Sequence, residues 1–483
     1  MEIDYNIKIL MAEDSKITMN MQVKILNELG FKNIIEAING DDAIAKISKE
    51  SDIEIIISDW NMPEKNGYEL LLWAKSQENY KDIPFILATA QAEKKQIQKI
   101  KDGGAQGIIT KPFSPDELKD VIFKILNKDA VPEKTLEEKK QRKSSSGKVI
   151  IRVAHIQITD HLTLGVLKHL INNRILNPIH FELETRLMSS WNPVQKALEK
   201  GEVDAGFILA PIAMDLFNFG VGIKLILLAH KNGSICVKNK IDDNNQSLYD
   251  FFLNKTFYIP YILSIHHMLS AMMLDKIGLK PGLAGNKDVN VFFEVVPPIK
   301  MPEFIASNKE VAGYMVAEPL GSKAIFSGNA NSMFLSGELW NNHPCCVVAM
   351  QDDFISKYED AVMEFVQMMV IAGRYISYNP EISSNIGVEF LDPHQKLGLK
   401  SNVLLKVLQE PFGIKTNDLF PVIEDLDRIQ RYMTEKMNIG ELIDLEKFID
   451  SRFAKIACQN NALGKLPYIE PDFDDNLLKI ITN

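Results

Sequence analysis

Cysteine is scarce in this chain: Cys236, Cys345, Cys346 and Cys458 are the four in 483 residues. Only Cys345 and Cys346 are close. Vicinal cysteines rarely bridge, and no CxxC pair or Cys/His metal spacing appears, so a disulfide framework or a sequence-local zinc module is excluded. The four read mostly as reduced, buried thiols. Long apolar runs are also missing. No stretch approaches the roughly 20 residues of a membrane helix, and Met1–Asp14 shows no basic start followed by an apolar run and a cleavage site. The expectation is a cytoplasmic protein without membrane insertion. Positive charge is in deficit, with 54 Lys and Arg against 64 Asp and Glu and a net charge of -10. That argues against general nucleic-acid binding, which needs a basic surface.

What is present is ordinary for a globular chain: 46% hydrophobic and 24% charged residues. The length predicts two or three domains with cores of their own. Residues 7–126 alternate short Ile-rich runs with amphipathic stretches. The runs are Ile7–Ala12, Ile34–Ala37, Ile53–Ser58, Pro84–Ala88 and Gly107–Thr110, and each is bounded by turn residues, as buried parallel strands are. Ile17, Met21, Ile25 and Leu29 give one apolar helical face, and Gly30 stops that helix. Five strands alternating with helices predict a doubly wound α/β domain over 1–128.

Residues 129–147 crowd Lys, Arg and Glu ahead of Ser144, Ser145, Ser146 and Gly147, the composition of a solvated linker. A second α/β pattern fills 148–483, with strand-like runs at Val149–Ala154, His180–Glu184, Asp204–Leu209 and Lys224–Ala229. From about Pro380 the pattern turns mostly helical.

In an open α/β sheet, sites form beyond the carboxyl ends of the strands. Asp59 falls there after the third strand, and Glu13 and Asp14 after the first. Three carboxylates converging need a cation, and Mg²⁺ suits an oxygen-only set. Thr89 ends the fourth strand and Lys111 follows the fifth, where a hydroxyl and an ammonium can hold phosphoryl oxygens. The separations are 45 residues from Asp14 to Asp59, 30 to Thr89 and 22 to Lys111. With "MAEDS", "SDWNMP", "ATA" and "TKPF", residues 5–127 resemble the response-regulator receiver family, closely its single-domain chemotaxis members. The resemblance implies a flavodoxin-like fold and a phosphoryl group accepted on Asp59 from a histidine kinase. It implies Mg²⁺ held by Glu13, Asp14, Asp59 and the backbone carbonyl of Asn61. Thr89 and Lys111 would bind the phosphoryl group, with a cis Lys111–Pro112 bond. It implies, too, that the domain hydrolyses its own aspartyl phosphate. One departure is Ile108, which stands where close relatives carry an aromatic switch residue.

The segments "VAHIQITDHLTLGVL", "SSWNPVQKALEKGEVDAGFILAPIAM", "HKNGSICV", "PYILSIHHMLSAMMLDKIGL" and "VAGYMVAEPLGSKAI" fall in the order seen in nitrate/bicarbonate/sulfonate-type substrate-binding proteins of ABC transporters. This second resemblance implies a two-lobed type II periplasmic-binding fold that closes on a small ligand, anionic by analogy. Trp191, His266, Glu318, Gln157 and Thr159 become candidate ligand contacts. Leu320 replaces the usual tryptophan two positions after Glu318. His266–His267 alone does not make a metal site. The combined expectation is a two-component signalling protein, not an enzyme, with a cytoplasmic metabolite-sensing module and an unidentified downstream protein partner. Two alternatives remain open on the residues: a thiamine-pyrimidine synthase-like enzyme, suggested by Cys345–Cys346 after His343–Pro344, and a ligand-free interaction scaffold.

Overall fold

The computed structural model describes residues 4–50, 52–89, 94–111, 113, 115–126, 142–240, 246–283, 288–395, 397–458 and 473–482. The chain divides into two compact units. One is Met1–Leu136 with Pro281–Val296, and the other is Glu137–Lys280 with Pro297–Asn483.

The first unit alternates strand and helix: β1 (Lys8–Ala12), α1 (Lys16–Glu28), β2 (Asn33–Ala37), α2 (Gly40–Lys49), β3 (Ile53–Asp59), α3 (Gly67–Ser76), β4 (Phe85–Thr89), α4 (Lys94–Asp102), β5 (Gly107–Thr110) and α5 (Pro115–Leu126). The sheet runs β2-β1-β3-β4-β5, and every strand pair in it is parallel. This is the flavodoxin-like order. The period-two alternation of a strand builds the two core layers. Ile9, Met11, Ile55 and Ile57 pack on one face, while Leu10, Ala12 and Ile56 pack on the other. Each such side chain contributes about 1.5–3 kcal/mol by leaving water. Gly30 adopts φ 106° where the chain leaves α1, a conformation other residues resist.

Register sets the position of the strand ends. Asp59 lies opposite Ala88 and Thr89 opposite Thr110. Helix α1 begins at once after β1, with Ser15 as its cap accepting from the Thr18 N–H at 3.2 Å. Helix α3 opens with a capping box between Asn66 and Glu69, which satisfies two orphan N–H groups reciprocally.

The second unit holds two lobes. The first contains β6 (Val149–His155), α6 (Leu162–Asn172), β7 (Phe181–Leu187), α7 (Trp191–Glu199), β8 (Ala205–Leu209), α8 (Ala210–Asn218) and β9 (Ile223–Leu228). The chain then crosses into β10 (Ser234–Asn239), α9 (Leu248–Phe252), β11 (Thr256–Ile259) and α10 (Ile265–Lys276). Two short parallel strands follow, β12 (Pro281–Leu283) and β13 (Val291–Val295); their segment groups with the first unit. Then come α11 (Met301–Ser307), β14 (Val311–Ala317), α12 (Leu320–Phe326), β15 (Ala330–Leu335) and α13 (Ser336–Leu339). The chain returns to the first lobe as β16 (Cys346–Gln351).

The first-lobe sheet runs β7-β6-β8-β16-β9, and β16 is antiparallel to both neighbours. In the second lobe the strands of this unit are ordered β11-β14-β10-β15. Two segments, after β9 and before β16, therefore join the lobes.

Helical structure begins earlier than about Pro380. It starts with α14 (Asp352–Lys357), continues through the 20-residue α15 (Glu359–Tyr378) and runs into α16 (Pro380–Leu391). Helix α15 carries apolar residues around much of its circumference, which blurs its period in the sequence. No helix among the described residues is long and apolar enough to cross a membrane.

Candidate functional sites

The carboxyl ends of β1, β3 and β5 bring four charged side chains together. One carboxylate oxygen from each of Glu13, Asp14 and Asp59 lies within 4.8 Å of the others. Lys111 reaches in from beyond β5, its Nζ 2.5 Å from Glu13 Oε2 and 3.0 Å from Asp59 Oδ1. Gln22 on α1 donates to Glu13 Oε2 at 3.0 Å. The backbone holds the frame: Glu13 N–H donates to the Ala37 carbonyl at 2.9 Å, and Lys111 N–H to the Thr89 carbonyl at 2.8 Å.

Glu13, Asp59, Thr89 and Lys111 are buried, and Asp14 is half-buried. Burial pushes the Glu13 carboxyl well up; Lys111 opposes the rise and Asp59 adds to it. Burial, then the Asp59 charge, raises Asp14 to about 6. Burial works against the Lys111 ammonium, yet Asp59 and Glu13 together hold it above its ordinary value. These directions are compatible because one ammonium faces two carboxylates and cannot neutralise three. The donor set is oxygen-only and carries surplus negative charge, which fits Mg²⁺.

Asp59 is fixed through its own peptide. Gly67, the first residue of α3, lies so close that a Cβ there would stand 1.9 Å from the Asp59 carbonyl oxygen. Only glycine admits that approach. Ser58 Oγ donates to the same carbonyl at 2.9 Å. Asn61 is half-buried just beyond β3. Ile108 sits partly buried on β5 against the core layer of Leu10 and Ile56. Pro112, and with it the Lys111–Pro112 bond, lies outside the described residues.

The second unit gathers a different set. Trp191 opens α7 and is buried, with its Nε1 unpartnered and its ring edge-on to His161 at 5.6 Å. His266, in the first turn of α10, contacts Ser234 Oγ through Nε2 at 2.9 Å and leaves Nδ1 unpartnered. Burial lowers His266 to about 4 and His161 to about 3, so both rings are neutral near pH 7.

Thr159 and Glu318 meet: the Thr159 N–H donates to the Glu318 carbonyl at 3.0 Å, and the Thr159 hydroxyl donates to it too. The Glu318 carboxylate accepts from Ser322 N–H at 2.9 Å and Ser322 Oγ at 2.7 Å. Burial raises it to about 7. Gln157 turns to the Leu391 carbonyl at 2.8 Å. Trp191 and His266 thus offer open polar atoms, whereas Thr159, Glu318 and Gln157 are engaged within the protein. His267 Nδ1 contacts the Ile262 carbonyl at 2.9 Å.

The sequence draws attention to His343, Cys345 and Cys346 but not to Asp160 and His230, which join them at the centre of this region. Asp160, His230, His343, Cys345 and Cys346 are all fully buried. Asp160 Oδ2 lies 3.2 Å from His230 Nε2. Burial disfavours charge on both, but their attraction prevails, lowering Asp160 and raising His230 to about 10. Unpartnered atoms crowd here: Asp160 Oδ1, His161 Nε2, Ser190 Oγ, His230 Nδ1 and His343 Nε2 join Trp191 and His266. Such buried orphans are rare in native interiors and call for a partner. The signals available in sequence were "TDH" after the first strand of this unit and "HPCC" before β16, 185 residues apart.

A strand-end carboxylate triad with its lysine, on a 2-1-3-4-5 sheet, defines a phosphoacceptor receiver. Comparison with known proteins agrees: residues 9–123 match the response regulator receiver domain, and residues 147–386 match the NMT1-like family. The chemotaxis protein CheY homolog of Campylobacter jejuni is 33% identical over 119 residues, 25% of this chain and 92% of that protein. Chemotaxis protein CheY1 of Helicobacter pylori is 33% identical and covered over 96% of its length. The chain belongs to the response-regulator family through its first unit.

Among solved structures, the periplasmic nitrate-binding protein of Synechocystis shares 16% identity with a TM-score of 0.56. The match covers 69% of this chain and 97% of that one. The ligand-binding component of an ABC-type import system from Staphylococcus aureus, solved with zinc bound, shares 21% identity with a TM-score of 0.54. It covers 64% of this chain and 98% of that one. These likenesses establish a substrate-binding-protein fold for the second part of the chain.

Proposed function

We propose that this is a cytoplasmic two-component signalling protein in which a histidine kinase phosphorylates Asp59 and the 148–483 region senses a small anion. The convergence of Glu13, Asp14, Asp59 and Lys111 carries the first half of this reading. An Asp59 oxygen bonds to phosphorus as the donor's bond to phosphorus breaks. Lys111 and Thr89 hold the phosphoryl oxygens, and Glu13, Asp14, Asp59 and the Asn61 backbone carbonyl would hold Mg²⁺. The ion would supply charge neutralisation, which phosphoryl transfer requires most.

The unpartnered Trp191 Nε1–H, with neutral His161 and His266, supports the second half. An uncharged set of N–H groups suits a small oxyanion such as nitrate, the ligand named for the Synechocystis relative. Lobe closure and phosphorylation then bias one another if the ligand's affinity differs between states. The output passes to a downstream protein.

Two measurements on the full-length chain test this. Incubation with labelled acetyl phosphate and Mg²⁺ should label the protein, and Asp59→Asn should abolish the label; equal labelling of the variant sinks the phosphoacceptor role. Nitrate, bicarbonate and alkanesulfonates should then be screened by thermal shift, with and without beryllofluoride. A stabilising anion whose affinity changes with beryllofluoride supports a coupled sensor. The absence of any anion-dependent shift removes the sensing half.

A further inference from the structure

We propose that Asp160, His230, Cys345 and Cys346 form a closed tetrahedral site for a divalent transition-metal ion of the zinc type, set where both lobe-to-lobe segments of the second unit meet. One donor atom from each of the four lies within 4.8 Å of all the others. The Asp160 Oδ2 to His230 Nε2 separation is 3.2 Å. The Asp160 Oδ2 to sulfur separations are 3.4 Å for Cys346 and 3.8 Å for Cys345. With zinc–sulfur bonds of about 2.3 Å and zinc–nitrogen or –oxygen bonds of about 2.0 Å, the edges of a tetrahedron fall at roughly 3.3–3.8 Å. The three separations from Asp160 Oδ2 lie close to those edges, and the other three fall within 4.8 Å.

The bland alternative is an Asp–His ion pair beside two thiols. It accounts poorly for the hydrogen bonding. Asp160 Oδ2 faces three donor atoms while its Oδ1 has no partner. His230 Nε2 lies 3.2 Å from that carboxylate and 3.3 Å from the Cys346 N–H. A cation at the centre takes lone pairs from all four groups.

Two sulfurs, one imidazole and one carboxylate select a borderline-soft ion such as Zn²⁺ over Mg²⁺ or Ca²⁺. Every coordination position is a protein side chain, the pattern of a structural site. Asp160 lies in the turn after β6, His230 in the segment leading to β10, and the cysteines in the segment entering β16. The ion therefore ties both connections between the lobes to the first strand of the binding fold. It sets the resting position of the hinge.

The test uses tag-free, full-length protein stripped with chelator, then titrated with Co²⁺ and followed by optical absorption. Zn²⁺ competition and elemental analysis accompany the titration. The expected result is one ion per chain, with sulfur-to-cobalt charge-transfer bands and the intense visible bands of tetrahedral cobalt. Cys346→Ser should lose one of the two thiolate contributions to the charge-transfer intensity, keeping that of Cys345, and weaken binding beyond the 10–100-fold typical of an outer-sphere loss. Cys458→Ser, outside the cluster, should change neither. Should Cys346→Ser fail to fold by circular dichroism, Asp160→Asn decides in its place. A folded, stripped protein that takes up no Co²⁺ overturns the proposal. So does an unchanged cobalt spectrum and affinity in Cys346→Ser or Asp160→Asn.

Discussion

The two units place their charged residues by the same device and end with opposite chemistry. In each, the first strand of the sheet leads into an acidic site residue: β1 directly into Glu13 and Asp14, β6 through a short turn into Asp160. In the first unit the remaining donors come from other strand ends of the same sheet, and all are oxygens, answered by one lysine. In the second they come from the connections between lobes, and they are nitrogen and sulfur. The lesson is that a strand end supplies a position, while the source of the other donors decides the chemistry. A site made only of strand ends sees one sheet and reports on one reaction. A site made of connections is bound to the geometry of the connections themselves.

The sharpest way to break this comparison is at Asp59. Asp59→Asn should eliminate acyl-phosphate formation, read by labelling or by a phosphate-affinity gel, and leave anion binding by the second unit in place. The next effect is on stability. Lys111→Met leaves buried carboxylates without their counter-charge, and removing one partner of such a set costs about 3–5 kcal/mol. Urea titration should show that loss in the first unit, partly recovered by millimolar Mg²⁺ through linkage. If Lys111→Met is neutral in chelator, the ammonium does not hold this cluster together.

A smaller effect belongs to the second unit. Trp191→Phe keeps the ring but deletes the Nε1–H, so anion affinity should fall about tenfold, near 1.4 kcal/mol. Unchanged affinity would move the anion away from Trp191.

The smallest effect is a pH slope. Asp14 titrates at about 6 in the folded chain against an ordinary 3.8. Between those values the folded state keeps a proton that the unfolded state has released. The Asp14 contribution should therefore make stability in chelator fall as pH rises from about 4 to 6. Asp14→Asn should flatten that slope, by about 1–2 kcal/mol after allowing for solvent screening. A slope of the opposite sign in the parent protein would contradict the raised carboxyl.

Legibility in the sequence followed the same division. The first unit was readable because each candidate residue sits at the end of a short apolar run, so strand periodicity placed Glu13, Asp59, Thr89 and Lys111 at strand ends, where the structure has them. The fold of the second unit was readable from its ordered segments. Its individual contacts were less so: Glu318 and Thr159 look like pocket residues in linear sequence, yet their polar atoms are taken by Ser322 and by each other's segment. Asp160 and Cys346 meet only because β16 returns from the second lobe to lie beside β8. No local pattern encodes that pairing, and the spacing rules that find zinc modules within one short segment pass over it.

Trp60 follows Asp59 directly, stacks on Tyr68 at 5.2 Å between ring centres, and carries the Lys99 ammonium 5.9 Å from its own ring and 4.5 Å from that of Tyr68. The indole is thus joined to Asp59 by one peptide bond and to the Lys99 charge by electrostatics. Its emission is a built-in optical gauge of the first unit, as that of Trp191 is for the second. With Trp73 and Trp340 replaced by phenylalanine, each unit would keep one indole of its own, half-buried Trp60 and buried Trp191, with no dye attached.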